Sequence, residues 1–143
     1  MTRFEKLLAE IEQSDIFYIE NKDGKLASYA ERIERDCCIF FKESAFETGA
    51  ERYEALAHEK AHCDSGAFYT VLTPMMTVGW LEQRAWKRMI ADRLPIESIA
   101  KAYRACKTTE GVHFHEMAEC LGITEGFLKR AIEIYIQVGE NIT

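Results

Sequence analysis

Residues 56–62 have the sequence Leu-Ala-His-Glu-Lys-Ala-His, and this stretch decides how the rest of the chain is interpreted. It contains the pattern H-E-x-x-H, in which His58 and His62 are four residues apart. On a helix these side chains lie about 40° apart around the axis, so both imidazoles can reach one metal ion. Glu59 lies about 60° from His62, close enough to reach a water molecule at that ion. The pattern predicts a metal centre rather than two unrelated surface histidines.

The flanking residues predict that this stretch is helical. Thr48 and Glu51 have the S/T-x-x-E spacing of a capping box, which predicts a helix start about ten residues upstream of the motif. Gly66 predicts the end of the helix. Residues at helical spacing predict a buried stripe along it: Tyr53, Leu56, Ala57 and Ala61. The motif is therefore expected in the last turns of a well-formed helix.

Length, composition and charge restrict the class of protein. A chain of 143 residues with 48% hydrophobic residues and two prolines is typical of one compact domain, which we predict over 1–143 in two parts, about 1–76 and about 77–143. The net charge of −6 argues against a general nucleic-acid or anionic-membrane binder. No apolar leader and no bilayer-length apolar run is present, so we predict a soluble cytoplasmic protein.

The cysteines indicate reduced thiols. Their number is odd and no C-x-x-C pair occurs, which argues against a disulfide framework or a thiolate zinc site and favours buried thiols in a cytosolic protein. Cys63 follows His62 directly and is a conceivable extra ligand, although helix packing is the stronger expectation. The five are Cys37, Cys38, Cys63, Cys106 and Cys120.

Hydrophobic periodicity predicts a mostly helical α+β fold. A small, two- to three-stranded antiparallel sheet is expected ahead of the motif helix, and a helical cap is expected at the C-terminal end. The segment 64–77 is an unusually apolar loop that is expected to cover the core or line a cleft. The predicted strands are 16–19, 26–33 and 37–41, and the other predicted helices are 3–13, 78–93, one that starts at Pro95, 113–121 and 124–138.

A third metal ligand is required, and Glu82 is the best candidate. It lies twenty residues after His62, near the start of the next predicted helix. It shares its helix face with Val78, Ala85 and Met89, and a carboxylate on an inward stripe is costly unless it is paired or binds a metal. The alternative is an ordinary first-turn glutamate that the helix dipole favours.

These residues together predict the chemistry of a zinc hydrolase. Two imidazoles and a third protein ligand hold Zn²⁺, and water takes the open fourth position. Glu59 then accepts the proton of that water as it attacks a carbonyl group. Manganese or iron in place of zinc stays open at this point.

Further residues are candidates for supporting roles. Asp92, on the same helix as Glu82, could orient a ligand histidine. His113 and His115 are expected at surface or cap positions, although either could approach the site as a hydrogen-bond donor, as could Tyr69 or Tyr103. The sequence does not rank these candidates.

The motif and its surroundings resemble a known family. The stretch 58–62, HEKAH, followed by E-Q-R-A at 82–85 and by Leu94-Pro95, resembles the ImmA/IrrE family of zinc metallopeptidases of phages and mobile elements. The stretch 117–128 is similar to the C-terminal helix pair of that family. The match runs from about residue 38 to residue 135; the first 35 residues match poorly, and Lys60-Ala61 stands where the family commonly has Leu-Gly.

The resemblance implies a zincin-like fold and an intracellular endopeptidase. Its substrate would be a protein partner, a helix-turn-helix repressor, and its cofactor one Zn²⁺. It also implies ligand roles for His58, His62 and Glu82 and a general-base role for Glu59. Bacterial or prophage origin follows from the same resemblance.

Two other functions remain as alternatives. The first is a binding module that sequesters a repressor without cutting it and keeps a structural metal or none; the presence of Glu59 argues against it, because a structural site needs no carboxylate between its histidines. The second is a DNA-binding regulator that uses residues 113–137 as a helix-turn-helix. From residue 107 onward there are three basic and six acidic residues, which is the opposite of what phosphate binding requires.

Overall fold

The computed structural model describes the backbone of residues 1–142 and the side chains as far as residue 139. The prediction of a mostly helical chain with a small sheet is confirmed. In chain order the elements are α1 (Arg3–Glu12), β1 (Phe17–Glu20), β2 (Ser28–Ile33), β3 (Asp36–Phe41), α2 (Gly49–Ser65), α3 (Met75–Arg93), α4 (Ile96–Cys106), α5 (Phe114–Leu121) and α6 (Glu125–Ile142).

The sheet is mixed, so the prediction of an antiparallel sheet is wrong for one of its two strand pairs. The order is β1-β3-β2, with β2 antiparallel and β1 parallel to β3. A two-residue turn at Glu34 and Arg35 makes β2 and β3 neighbours, and Glu34 has the positive φ of 59° that such turns require. The connection 21–27 instead crosses the end of β3 at Phe41, which leaves the apolar β3 between the other two strands.

One face of the sheet is covered by α2. Side chains alternate along a strand, so Ser28, Ala30 and Arg32 share the face that meets this helix, whereas Tyr29 and Glu31 lie on the other face. The centre of the sheet is fully buried at Ile39 and Phe41. Three aromatic rings surround that of Phe41: Phe4, Tyr18 and Phe46. The helix that carries the motif therefore rests on a buried aromatic cluster.

The predicted motif helix is confirmed as α2. The Thr48 hydroxyl accepts a hydrogen bond from the Glu51 amide at 3.1 Å, and Gly66 ends the helix in the left-handed region at φ 69°. The Glu51 carboxylate accepts from the Glu47 amide at 3.3 Å rather than from Thr48, so only half of the capping box forms. Five residues of this helix are buried, and they include Glu59 and His62.

A disulfide joins Cys37 on β3 to Cys63 on α2, so the prediction that every cysteine is a reduced thiol is wrong for this pair. The packing of α2 on the sheet brings the two Cα atoms to 5.7 Å, a normal disulfide separation. Cys63 is therefore not available as the extra metal ligand. The remaining thiols are free, at Cys38, Cys106 and Cys120.

Helix α3 begins at Met75, three residues before the predicted start, because Pro74 supplies the carbonyl that the Val78 amide needs. The chain divides into two compact units, Met1–Met89 and Ile90–Thr143. The helices of the second unit surround their own apolar core, in which Met117, Phe127 and Leu128 are buried. Among the described helices, none has the combined length and apolar composition that a membrane span requires.

Candidate metal centre

Three side chains from two helices converge in the first unit: His58 and His62 from α2 and Glu82 from α3. The His58 Nε2 atom lies 3.0 Å from Glu82 Oε2, and the His62 Nε2 atom lies 3.1 Å from Glu82 Oε1. The two Nε2 atoms are 3.2 Å apart. The three residues that the sequence pattern selected therefore lie together, in an arrangement that could hold a metal ion.

The chemistry of this donor set fits a cation. Ligands at 2.0–2.1 Å from a tetrahedral ion lie roughly 3.4 Å from one another, close to the separations found here. The His62 Nδ1 atom donates to the carbonyl of Ala67 at 2.6 Å, which leaves the lone pair of Nε2 directed towards Glu82. An imidazole lone pair and a carboxylate that face each other repel unless a proton or a metal ion lies between them.

Neighbouring residues fix the two imidazoles by different means. Gly66, in its left-handed conformation, turns the chain so that the Ala67 carbonyl can hold His62. The predicted role of Asp92 in orienting a ligand histidine is wrong, since Ala67 fills it for His62 and the buried His58 Nδ1 has no hydrogen-bond partner among the described residues. Trp86 packs on the His58 ring instead, with ring centroids 4.5 Å apart.

Glu59 is buried beside the cluster, with 6% of its surface exposed. The Ser28 hydroxyl donates to its Oε2 atom at 2.8 Å, which links the motif helix to the first residue of β2. Burial raises the pKa of the Glu59 carboxyl group, and the hydrogen bond from Ser28 and the nearby imidazoles only partly oppose that rise. A carboxylate of raised basicity beside the candidate metal position is the arrangement that a general base requires.

The electrostatics of the three candidate ligands are coupled. Hydrogen bonds from His58 and His62 hold the pKa of Glu82 far below its usual range. Burial acts to lower the pKa of His62, but its hydrogen bonds to Glu82 and Ala67 outweigh burial and raise it. The Tyr69 hydroxyl donates to Glu82 Oε1 at 2.6 Å, and this bond raises the Tyr69 pKa to about 12. When protons rather than a metal ion occupy the two Nε2 atoms, Glu82 is thus a carboxylate that accepts bonds from three side chains.

A cleft of about 860 Å³ runs past the cluster. One wall is the edge strand β2, and the apolar segment after α2 forms the other. The prediction that this segment lines a cleft is confirmed for Phe68, Tyr69, Val71 and Met75. The side chains of Leu72 and Met76, with 89% and 70% of their surface exposed, lie outside the lining.

The other sequence candidates lie in the second unit, on its surface. His113 is the exposed N-cap residue of α5, without a side-chain capping bond. His115 is exposed, with its ring nitrogens 3.0 Å from Glu119 and 3.2 Å from Glu125. Tyr103 is 46% exposed on α4. Of the candidate hydrogen-bond donors, Tyr69 is the one that contacts a candidate ligand in the described part of the chain.

Sequence reasoning missed three residues that build the site: Ser28, Ala67 and Trp86. Trp86 lies four residues after Glu82, so helical spacing alone could have placed it on the same face. Ser28 is thirty-one residues from Glu59, and no local pattern signals that contact. Ala67 acts through its backbone carbonyl, which its residue type does not reveal.

No family model matches this chain, and neither a curated protein nor a solved structure does.

Proposed function

We propose that this protein is a zinc-dependent endopeptidase. The observation that supports the proposal is the convergence of His58, His62 and Glu82 next to a buried Glu59, at the base of a cleft bounded by an edge strand. Two imidazoles and one carboxylate leave one tetrahedral position open, which distinguishes a catalytic zinc set from a closed structural one. The zincin-like fold and the ImmA/IrrE resemblance belong to the same proposal.

Each residue of the candidate site has a separate role in the proposed reaction. His58, His62 and Glu82 would hold Zn²⁺, which when bound polarises a carbonyl group and acidifies a water molecule. Glu59 accepts the proton of the attacking water and passes it to the leaving amine. The Ser28 hydroxyl donates a hydrogen bond to the Glu59 Oε2 atom, so Oε1 is the oxygen that exchanges the proton. Tyr69 holds the Glu82 carboxylate in place through Oε1.

An extended peptide is the substrate shape that the cleft favours. Strand β2 is at the edge of the sheet, so its outer backbone groups are available to pair with another strand. Apolar side chains on the cleft walls, such as Leu26 and Val78, can accept the side chains of that peptide. We propose a helix-turn-helix repressor encoded beside the gene as the protein that supplies this segment, in a bacterial or prophage cytoplasm, with no nucleic-acid partner.

The test begins with metal content, measured by plasma mass spectrometry on the untagged protein and on His62→Ala and Glu82→Ala. We expect close to one zinc ion per wild-type chain and a loss in both variants, because two ligands bind zinc far more weakly than three. The binding of zinc should also change the fluorescence of Trp86, which contacts His58. Wild-type protein that takes up no zinc on dialysis would contradict the proposal.

Cleavage is tested with the neighbouring repressors as substrates and with Glu59→Gln as the control. This variant keeps all three ligands, so we expect normal zinc content and a loss of activity of about a hundredfold or more. Full activity of Glu59→Gln would rule out its role as the base.

Non-catalytic binding of a partner is the alternative function. A group of exposed apolar residues on the segment after α2 and the first turns of α3 favours it, because such patches commonly bind proteins. They are Val71, Leu72, Met75, Met76 and Trp80. A repressor that binds wild-type protein and Glu59→Gln equally, and that zinc-loaded wild type never cuts, would establish this alternative.

A further inference from the structure

Apart from Glu59 and Glu82 of the candidate site, Glu31 is the one acidic residue that lines the cleft in the described part of the chain. Ser28 faces α2, and side chains alternate along a strand, so Glu31 lies on the opposite face of β2. Its side chain is exposed and still lines the cleft, because β2 is an edge strand. A peptide that pairs with this edge would place alternate side chains on the same face as Glu31.

No lysine or arginine among the described cleft residues neutralises this carboxylate. Among the side chains of residues 1–139, no lysine or arginine lines the cleft, and Glu31 takes part in no ion pair. The adjacent Arg32 is on the other face of the strand, where its guanidinium group lies over the Phe68 ring at 5.0 Å. The negative charge of Glu31 is therefore available to a bound ligand.

Tyr29 provides a second feature on the same face. It precedes Glu31 by two residues, which places the two side chains about 7 Å apart along the strand. Its ring stacks on Phe40 with centroids 4.7 Å apart, so it is held in place as an apolar surface. A long aliphatic side chain that ends in a cation can lie across this ring and reach the carboxylate.

We propose that Glu31 and Tyr29 form a specificity subsite for a lysine or arginine side chain of an extended peptide bound along β2. The inference rests on the proposed peptidase function and adds the class of substrate, a segment with a basic residue at one fixed distance from the scissile bond. Opposite charges on paired strands attract and like charges repel, so lysine is expected over glutamate at that position by about three- to tenfold. The preference should weaken as ionic strength rises.

The experiment uses zinc-loaded protein and mixtures of decapeptides in which each position in turn is fixed as Lys, Ala or Glu. Products are identified by mass spectrometry, which locates the scissile bond and the preferred position. The variants are Glu31→Gln, Glu31→Lys and a matched control, Glu20→Lys, which makes the same change in charge on β1 at the other edge of the sheet. Circular dichroism and zinc content show whether each variant is folded.

We expect the wild type and Glu20→Lys to prefer lysine at one position by the same factor. Glu31→Gln should abolish the preference, and Glu31→Lys should reverse it in favour of glutamate. A lysine preference that persists in Glu31→Lys would overturn the inference, because another group would then be its source. A preference that Glu20→Lys removes to the same extent would also overturn it, because the net charge of the protein would then be the source.

A binding assay separates this inference from the proposed function. Fluorescence anisotropy of labelled peptides is measured on zinc-loaded Glu59→Gln, with and without the Glu31 substitutions. Cleavage without discrimination at any position overturns the subsite and leaves the peptidase proposal intact. Lysine-selective binding that depends on Glu31, with no cleavage by wild type, supports the subsite and overturns the peptidase. If no peptide binds, the subsite inference fails.

Discussion

The Glu59 carboxyl group combines two requirements that oppose each other. A general base must be deprotonated to accept a proton, yet this group lies under the sheet, where burial raises its pKa. Ser28 contributes the hydrogen bond that best favours its charged form. The ionised Glu59 carboxylate therefore lowers the stability of the metal-free protein.

This leads to a prediction for Glu59→Gln in the absence of metal. In the wild type, the pKa of the Glu59 carboxyl group is higher in the folded protein than in the unfolded chain, so the folded protein binds this proton more tightly. The wild type therefore loses stability as pH rises from the unfolded-state pKa to the folded-state pKa. We expect the metal-free variant to unfold at a higher temperature than wild type at pH 7, and the difference to narrow as pH falls towards about 4. The measurement is thermal unfolding in a chelating buffer between pH 4 and 8.

Glu20→Gln is the control for that series, since it removes an exposed carboxylate from the same sheet. A difference between Glu59→Gln and wild type that stays constant from pH 4 to 8 would contradict the prediction.

At the scale of residues, the sequence predicts the position of a side chain where helical spacing alone determines it. His58 and His62 share a helical face, and Glu82 lies on an inward stripe with the buried Ala85 and Met89. Ser28 could not be predicted, because its contact depends on how a strand and a distant helix pack. The predicted role of Asp92 failed because a backbone carbonyl, which every residue possesses, holds His62 instead.

At the scale of elements, helix ends and strand positions were predictable from caps, turns and apolar runs. The direction of β1 was not, since Phe17–Glu20 alternates in the same way whether its neighbour is parallel or antiparallel. Pairing of Cys37 with Cys63 also escaped prediction, because the contact arises from the packing of α2 on β3 and not from cysteine spacing.

The disulfide gives a prediction about the attachment of α2. The bond closes a segment with a sequence separation of 26, so the oxidised protein should be more stable than Cys37→Ser/Cys63→Ser by about 2–4 kcal/mol. Urea unfolding with and without a reducing agent measures the difference. Reduction should lower the stability of wild type to that of the double variant and leave the variant unchanged. Equal stability of the oxidised protein and the double variant would contradict it.

At the scale of the whole molecule, composition told more about the function than about the architecture. The net charge of −6 argued against a nucleic-acid partner, and the cleft is likewise lined by carboxylates without lysine or arginine in the described part of the chain. The division into the units Met1–Met89 and Ile90–Thr143 was not predictable, because the boundary falls within the uninterrupted helix α3.

The candidate metal centre gives a prediction for the stability of the molecule. A ligand that binds only the folded state stabilises it, by about 2.7 kcal/mol at a free concentration one hundred times its dissociation constant. Zinc at that concentration should therefore raise the unfolding temperature of wild type by several degrees. Calorimetry of His62→Ala under the same conditions should show little change. An equal rise in both proteins would indicate that zinc binds elsewhere.

The short sequence distance between the candidate ligands has a kinetic consequence. The candidate ligands His58 and Glu82 are 24 residues apart in sequence, whereas Ser28 and Glu59 are 31 apart and their contact depends on the sheet. Loop-closure entropy separates the two contacts by only about 0.2 kcal/mol, but the second contact also requires the sheet to have formed, so α2 and α3 can associate around an ion before β2 docks. Metal present during refolding would then increase the folding rate itself, and Glu59 would acquire its environment last.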